Sequence, residues 1–268
     1  MTRWWLFPPR TREIQLDEKW SFVAKKEKHC DPTDPDDRER GDHWDHVAFD
    51  AEHRLVLAVV PGERTEANTH ALVREVHART QGRADVLLTS DEYAPYATAI
   101  LDVYGEDRPA PRRPGPGRPP KPERVLPLTL CYATVRKTRQ KGRVVEVVRT
   151  LVYGIAFILG LLLERSTVSQ TINTSFIERH NSTDRQRNAR KQRKSYHFSK
   201  EARSHEALTY FTMYSYNFCW PVESLSQKDT QGRKHACTPA MAAGLTDHVW
   251  SLQEWLTYPA KVRPNPVR

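Results

Sequence analysis

Three acidic residues occupy positions where the surrounding apolar pattern would not place them for packing alone. Asp17 lies within the segment IQLDEKWSFV, Asp91 ends the segment ADVLLTSD, and Glu178 lies within NTSFIERHN. Because Mg²⁺ prefers hard oxygen ligands, carboxylates brought together from such positions could hold divalent cations. Each acid also has a simpler interpretation: a solvated strand residue, the cap of the following helix, and a capping box that Ser175 forms with Glu178. The residues alone leave both interpretations open.

Asp17 belongs to a segment with the pattern of a β-strand. Apolar and polar residues alternate from Ile14 to Val23, which predicts a strand whose apolar face packs on a core while Asp17 points to the other face. An acidic loop is predicted at residues 31–45. The segments VAFD and RLVLAVV that follow it predict a hairpin with a buried second strand. Three antiparallel strands are therefore expected at the start of the domain.

Asp91 is expected between a short buried strand and a helix. Thr65 is placed to cap a helix that ends near Arg79, and the run ADVLLTSD predicts a strand that stops at Asp91. A second helix should follow and end at Gly105, since glycine commonly ends helices. The predicted order βββαβα indicates an α/β fold.

The second half of the chain is divided by a segment rich in proline. Residues 108–127 hold eight prolines and six basic residues, which predicts an exposed basic insertion without regular structure. Further predictions follow it: strands at residues 130–136 and 144–152, a helix from Ala156, a helix that begins near Thr174 or Ser175 and continues into RHNSTDRQRNARKQRK, a buried aromatic helix at residues 205–220, and a short C-terminal helix capped by Thr238. The domains are expected to be a lead at 1–12, a central domain at 13–220 and a tail at 221–268.

The composition favours a polyanionic partner and excludes several classes. Lys and Arg number 42 against 33 Asp and Glu, so the net charge is +9. The longest apolar stretch, residues 151–163, is shorter than the roughly 20 residues that span a bilayer. We find no secretory signal and no C-x-x-C pair among the four cysteines, so we expect a cytoplasmic protein with free thiols and no membrane partner.

The segments around the three acids resemble a known family. LDEKWSFV, TSDEYAPY and NTSFIERHN, followed by a basic run and YHFSK, are similar to the three catalytic blocks of insertion sequence 1 family DDE transposases. The resemblance covers residues 13–220, and TPAMAAGLTDHVWSL is similar to the trailing segments of related elements. It implies an RNase H-like core: a mixed sheet in βββαβα order, flanked by helices, with a basic Pro-rich insertion and a short C-terminal extension.

The resemblance also implies an activity and its cofactors. Such an enzyme cuts element ends and joins them to new DNA, and two Mg²⁺ or Mn²⁺ ions serve both steps. Asp17 would bridge both ions, Asp91 would hold one, and Glu178 the other. Transposases of this type usually carry an N-terminal DNA-reading module, whereas about a dozen residues precede the first strand here. We therefore expect a module encoded upstream, and a homo-oligomer assembled on DNA. The alternatives are a stand-alone nuclease and a non-catalytic DNA-binding remnant.

Double-stranded DNA is the expected partner, and a basic run is its expected contact. Eight Lys or Arg and a single Asp lie between Arg179 and Lys200, which favours a DNA-backbone track over a solvated helix face. Glu178, Asn181 and Arg185 are spaced to share one helical face toward the scissile phosphate. The insertion PRRPGPGRPPKP is either an extended basic linker or a variant of a minor-groove hook. The predicted DNA contacts are Asn181, Arg185, Arg187, Arg190, Lys191, Arg193, Lys194 and Arg118.

Overall fold

A six-stranded mixed sheet forms the centre of the protein, which a computed structural model describes at residues 11–109 and 121–259. Its strand order is β3-β2-β1-β4-β7-β8. These strands are β1 (Glu13–Val23), β2 (Gly41–Asp50), β3 (Leu55–Gly62), β4 (Leu87–Ser90), β7 (Cys131–Gln140) and β8 (Arg143–Tyr153). Two small hairpins lie outside the sheet, formed by β5 (Glu106–Arg108) with β6 (Glu123–Val125) and by β9 (Gln227–Lys228) with β10 (Lys234–His235).

Helices cover both faces of the sheet. They are α1 (Glu66–Arg79), α2 (Pro95–Tyr104), α3 (Ala156–Arg165), α4 (Ser175–Arg187), α5 (Ala202–Cys219), α6 (Pro239–Ala242) and α7 (Leu252–Thr257). Leu72 of α1 and Ile100 of α2 pack against one face of the sheet, whereas Leu162 of α3, Ile177 of α4 and Met213 of α5 pack against the other. The result is a three-layer α/β/α domain.

The strand directions confirm the expected topology. β2 is antiparallel to both β1 and β3, as the opening hairpins predict. β4 runs parallel to β1, and β7 runs parallel to β4. β8 returns antiparallel to β7 and forms one edge of the sheet. The βββαβα order in a mixed sheet between helices is an RNase H-like fold, as predicted.

Both faces of β1 are buried, which the alternating pattern did not predict. Ile14 and Leu16 enter the apolar core beneath α1 and α2. On the opposite face, Gln15, Lys19 and Ser21 are also buried, and α4 lies along β1. The strand therefore presents a row of polar side chains to a helix rather than to solvent.

The second strand begins earlier than predicted. Residues 41–45 belong to β2, so the prediction of a loop over all of 31–45 is wrong for its last five residues. β1 continues to Val23 and gives this segment a partner for its backbone groups, with Trp20 opposite Trp44 and Lys19 opposite Asp45. The burial of Asp45 beside a lysine explains why an acidic residue can lie inside the sheet.

The fourth helix ends earlier than predicted. The prediction that it continues through the basic run is wrong, because the backbone of Asn188 turns to an extended conformation with φ −105° and ψ 96°. The Asn188 side chain accepts a hydrogen bond from the backbone N–H of Arg190 at 3.1 Å and caps a single 3₁₀ turn at Ala189–Lys191. Asn favours such local bonding over a continued helix.

The ends of the proline-rich segment are more regular than predicted. Arg108 pairs with Glu123 in the β5–β6 hairpin, so residues at both ends of 108–127 form short strands. The remaining residues, 110–120 with Arg118 among them, lie outside the described residues. Near the C-terminus Thr238 caps α6, as predicted, by accepting the backbone N–H of Met241 at 3.2 Å.

The aromatic helix α5 is partly exposed. Met213 and Phe218 are buried as expected, and Phe218 stacks on Trp250 of the C-terminal segment with ring centroids 4.7 Å apart. Tyr210 and Trp220, which we assigned to the core, are 43% and 40% exposed.

In the described ranges the four cysteines are free thiols. No helix within those ranges has the length and apolar character needed to cross a membrane.

Candidate active site

The register of the sheet places Asp17 beside Asp91. Gln15 lies opposite Thr89 in the parallel ladder between β1 and β4. Asp17 lies two residues further along β1, and Asp91 directly follows the last residue of β4, close enough for its charge to act on the Asp17 carboxylate. Neighbouring strands are about 4.8 Å apart, and residues two apart on a strand share a face. Gln15 and Thr89 both donate to the carbonyl oxygen of Asn173, just before α4, which shows that this face is the one toward α4.

Gln15 fixes where α4 begins. Its Oε1 accepts the backbone N–H groups of Phe176 and Ile177 at 3.1 and 3.0 Å. These donors belong to the first turn of the helix, where no carbonyl group of the helix is available to them. Thr174 at the N-cap makes no capping hydrogen bond of its own. A side chain from β1 therefore caps α4 and holds its first turn against the strand.

Two further contacts align the rest of α4 with β1. Asn181 donates through Nδ2 to Oδ2 of Asp17 at 2.7 Å, and Asp184 accepts a hydrogen bond from Lys19. Asn181 is 6% exposed, so it binds the Asp17 carboxylate rather than presenting itself to a phosphate, which corrects its predicted role. Glu178 precedes Asn181 by one helical turn and lies on the same side of α4.

Glu178 is held by two neighbours. Thr174 donates through Oγ1 to Oε1 of Glu178 at 2.6 Å, and the ammonium group of Lys137 on β7 binds the same oxygen. The capping-box interpretation is wrong, because the hydroxyl of Ser175 bonds to Oδ1 of Asn173 instead, at 2.7 Å. The side chain of Glu178 is 43% exposed, so its carboxylate is accessible from the surface.

Asp91 is not a helix cap either. Its Oδ1 accepts the backbone N–H of Tyr93 at 3.1 Å in a local turn. The N-cap of α2 is Ala94, which makes no side-chain capping bond, and Pro95 occupies the first helical position. The cap interpretation of Asp91 is therefore wrong, as is the capping box at Glu178.

The carboxylates influence one another electrostatically. Burial raises the pKa of Asp17 to about 7, and repulsion from Glu18, from Asp91 and, to a smaller extent, from Glu178 adds to the effect. The hydrogen bond from Asn181 acts in the opposite direction. The Asp17 carboxyl group, buried among other carboxylates, is therefore partly protonated near pH 7. A divalent cation bound there would offset the repulsion between the negative charges.

The described residues contain no ready-made metal centre: among them, no group of three or more His, Cys, Asp or Glu side chains is arranged to hold an ion. Glu178 is directed to Lys137 and Thr174 instead. The donor chemistry still fits Mg²⁺ or Mn²⁺, since it consists of carboxylate oxygens whose negative charges raise the pKa of Asp17. Lys137 and Thr174 both bind Oε1 of Glu178, so a cation at that oxygen would compete with the ammonium group of Lys137.

A buried ionic cluster lies next to the site. It consists of Lys19, Asp45, Asp184 and Lys191, all at most 5% exposed. Lys19 lies 3.1 Å from Asp45, and Lys191 bonds to both Asp45 and the hydroxyl of Thr209. Burial would raise the pKa of Asp45, but the two ammonium groups outweigh it and hold this pKa below its usual range.

The placement of Lys191 corrects one predicted DNA contact. Its ammonium group is buried in this cluster, so it cannot reach a phosphate at the surface. Burial lowers the pKa of Lys191 to about 8, against the attraction of Asp45. No local pattern predicts this burial, because it depends on β2 reaching Asp45 and on α4 ending before the lysine.

The other predicted DNA contacts occupy different surroundings. Arg185 donates to the backbone carbonyl groups of Trp20 and Lys191, at 2.9 and 3.4 Å, so it joins α4 to neighbouring segments. Arg187 is exposed and lies 4.3 Å over the ring of Trp220. The other predicted DNA contacts within the described residues are exposed: Arg190, Arg193 and Lys194. They follow the end of α4, so they do not share one face of that helix.

Sequence reasoning missed the side chains that position the acids. Gln15 and Lys19 share the parity of Asp17 on β1, and this polar alternation was the available signal. Lys137 had a similar signal, since it follows buried Val135 by two residues and so lies on the same face of β7. Nothing in the sequence near Asp45 or Asp184 indicated that these two residues form part of a buried ionic cluster.

Comparisons with known proteins find likeness only at the level of structure. No protein-family model matches the sequence, and no curated protein matches it. Two solved structures are similar to part of the chain. The Mos1 strand transfer complex is 21% identical, with a TM-score of 0.23, and the match covers 34% of this chain and 31% of that chain. The Mos1 transposase paired-end complex with the left transposon end is 18% identical, with a TM-score of 0.22 and coverage of 34% and 33%. This chain therefore spans about one third of each Mos1 chain.

Proposed function

We propose that this protein is a DNA transposase of the insertion sequence 1 type, which cleaves DNA at element ends and joins the ends to a target. The observation that carries the proposal is the parallel pairing of β1 with β4, which brings Asp17 on β1 near Asp91 just after β4, with Glu178 on α4, the helix that lies along β1. Carboxylates contributed by separate elements and facing one another are typical of sites for divalent cations.

Asp17, Asp91 and Glu178 would hold two Mg²⁺ or Mn²⁺ ions. Such ions, when bound, make water or a 3′ hydroxyl nucleophilic and stabilise the oxygen that leaves the phosphate. Asn181 orients the Asp17 carboxylate through its 2.7 Å hydrogen bond. Gln15 fixes the start of α4 and so the position of Glu178. Lys137 pairs its ammonium group with the Glu178 carboxylate.

Cleavage of labelled duplex DNA in the presence of Mg²⁺ or Mn²⁺ tests the proposal. The wild-type protein should cleave, whereas Asp17→Asn, Asp91→Asn and Glu178→Gln should each lose cleavage and keep DNA binding. Asp36→Asn is a matched control, since its side chain is 78% exposed in an acidic turn and it carries the same change of charge. Cleavage that survives loss of Asp17, or that proceeds without divalent ions, would contradict the proposal.

A second assay separates transposase from nuclease. An oligonucleotide that already ends in a free 3′ hydroxyl is incubated with a circular target, and covalent joining is measured. Joining that depends on Asp17 supports a transposase. Cleavage without joining would identify a nuclease of the same fold. DNA binding without either step would identify a non-catalytic DNA-binding protein, the alternative that the pairing of Glu178 with Lys137 favours.

The proposed partners include a DNA-reading module and further copies of the chain. Contacts to phosphates position a protein without reading sequence. We therefore propose that specific cleavage at element ends needs a sequence-reading module in addition to these phosphate contacts, and a homo-oligomer assembled on DNA. The isolated chain should bind its own element ends and a scrambled duplex with similar affinity. A preference above about a thousandfold would contradict this expectation.

A further inference from the structure

A basic β-ribbon projects from the edge of the sheet. It consists of residues 136–146 of β7 and β8, joined by a tight turn in which Lys141 and Gly142 have φ of 48° and 80°. Two consecutive residues with positive φ are typical of the turn that best matches the twist of a hairpin. The last contact of β7 with β4 is Thr134 opposite Ser90, so six residues of β7 extend past the sheet, about 20 Å at 3.4 Å per residue.

The ribbon is exposed and carries one sign of charge at its tip. Nearly all its residues are exposed, among them Val144 and Val145 at 44% and 53%. Its basic residues are Arg136, Lys137, Arg139, Lys141 and Arg143, and its acidic residue is Glu146, which bonds to Thr138. Within the described residues Arg139, Lys141 and Arg143 form no ion pair with an acid, so three cationic groups at the tip are open to a partner.

The base of the ribbon adjoins the candidate active site. Lys137 binds Glu178, and Arg136 lies 3.8 Å from Glu92, the residue after Asp91. A polyanion held along the ribbon would therefore continue toward the carboxylates. The two strands of such a ribbon fit within the roughly 12 Å width of the major groove of B-DNA, which admits a two-stranded ribbon.

We propose that the ribbon at residues 136–146 is a DNA-binding arm, which contacts the phosphates of the duplex next to the cleaved bond through Arg139, Lys141 and Arg143. The proposal rests on the proposed function in one respect only, that the partner is duplex DNA. It adds a contact surface separate from the basic run at residues 179–200. Because phosphate contacts carry no sequence information, the arm positions DNA without selecting a sequence.

The test is a binding titration of the full chain against a scrambled 30-base-pair duplex at several salt concentrations. The triple variant Arg139→Gln, Lys141→Gln and Arg143→Gln should bind at least about tenfold more weakly, and its salt dependence should fall by a slope of about 3, since each phosphate contact contributes about 0.9. The matched control changes three exposed basic residues outside the ribbon to Gln: Arg74, Lys228 and Arg233. It alters the net charge equally and should keep most of the affinity and slope.

Two further measurements keep the result interpretable. The double variant Arg139→Lys and Arg143→Lys retains charge and should keep the wild-type slope, and thermal unfolding should show that all variants are folded. Equal weakening by the ribbon and control triples, or an unchanged slope in the ribbon triple, would overturn the proposal. Wild-type protein that binds DNA through the ribbon but never cleaves it would overturn the proposed function and leave the arm intact. Cleavage by the wild type, together with a ribbon triple that binds DNA as tightly as the wild type, would overturn the arm and leave the proposed function intact.

Discussion

Replacement of Asp17 by Asn should stabilise the fold at pH 8, although it removes a carboxylate from the candidate active site. Burial and the neighbouring carboxylates of Glu18 and Asp91 raise the pKa of Asp17 from 3.8 to about 7. The folded state therefore binds a proton that the unfolded chain has already lost between these pH values. The contribution of the neutral Asp17 carboxyl group to the stability of the fold is complete below about pH 4. It decreases as the pH rises and is lost once the pH passes about 7.

The size of the effect follows from the pKa difference. The pKa values of 3.8 and about 7 differ by roughly 3, and each pKa unit corresponds to about 1.4 kcal/mol. The ionised carboxylate thus lowers the free energy of unfolding by at most about 4 kcal/mol at pH 8. Asn at this position keeps an oxygen that accepts the Asn181 amide, so it removes the charge with little loss of hydrogen bonding.

Urea unfolding followed by tryptophan fluorescence at pH 4, 6 and 8 measures this difference. Asp17→Asn should match the wild type at pH 4 and exceed it increasingly at pH 6 and 8, whereas the exposed control Asp36→Asn should follow the wild type throughout. At pH 8, Mn²⁺ should stabilise the wild type and have little effect on Asp17→Asn, because the ion compensates the same charge. A gain that is independent of pH, or a loss of stability at pH 8, would refute the reasoning.

Three other substitutions test the surroundings of the site. Gln15→Met should lower the free energy of unfolding by about 2 to 3 kcal/mol and reduce cleavage, because two backbone donors of α4 lose their acceptor; urea unfolding and the cleavage assay measure both. Lys191→Met should lower the free energy of unfolding by up to about 3 kcal/mol in the same assay, because buried Asp45 loses one of its two lysine partners and keeps Lys19, whereas a DNA-contacting lysine would leave stability unchanged. Changing the exposed Arg190, Arg193 and Lys194 to Gln should weaken binding to all duplexes alike and reduce the salt slope by about 3, and a sequence-selective loss in the titration would contradict a backbone role.

The sequence by itself determined the elements and their order. Alternation in β1, the cap at Thr65 and the stop at Gly105 each act over a few residues, so they are readable without the fold. The same patterns identified Asp17 and Asp91 at positions that packing does not explain. The insertion sequence 1 resemblance and the metal site stay predictions.

Only the tertiary structure decided what surrounds the acids and which basic residues face solvent. Lys191 and Arg193 lie two residues apart in one basic run, yet one is buried against Asp45 and the other is exposed. Gln15 caps a helix that begins 160 residues later, and Lys137 reaches Glu178 from β7, two strands away from β1 on the same face of the sheet. Such contacts join residues distant in sequence, and their free energies depend on burial, which no local window of sequence contains.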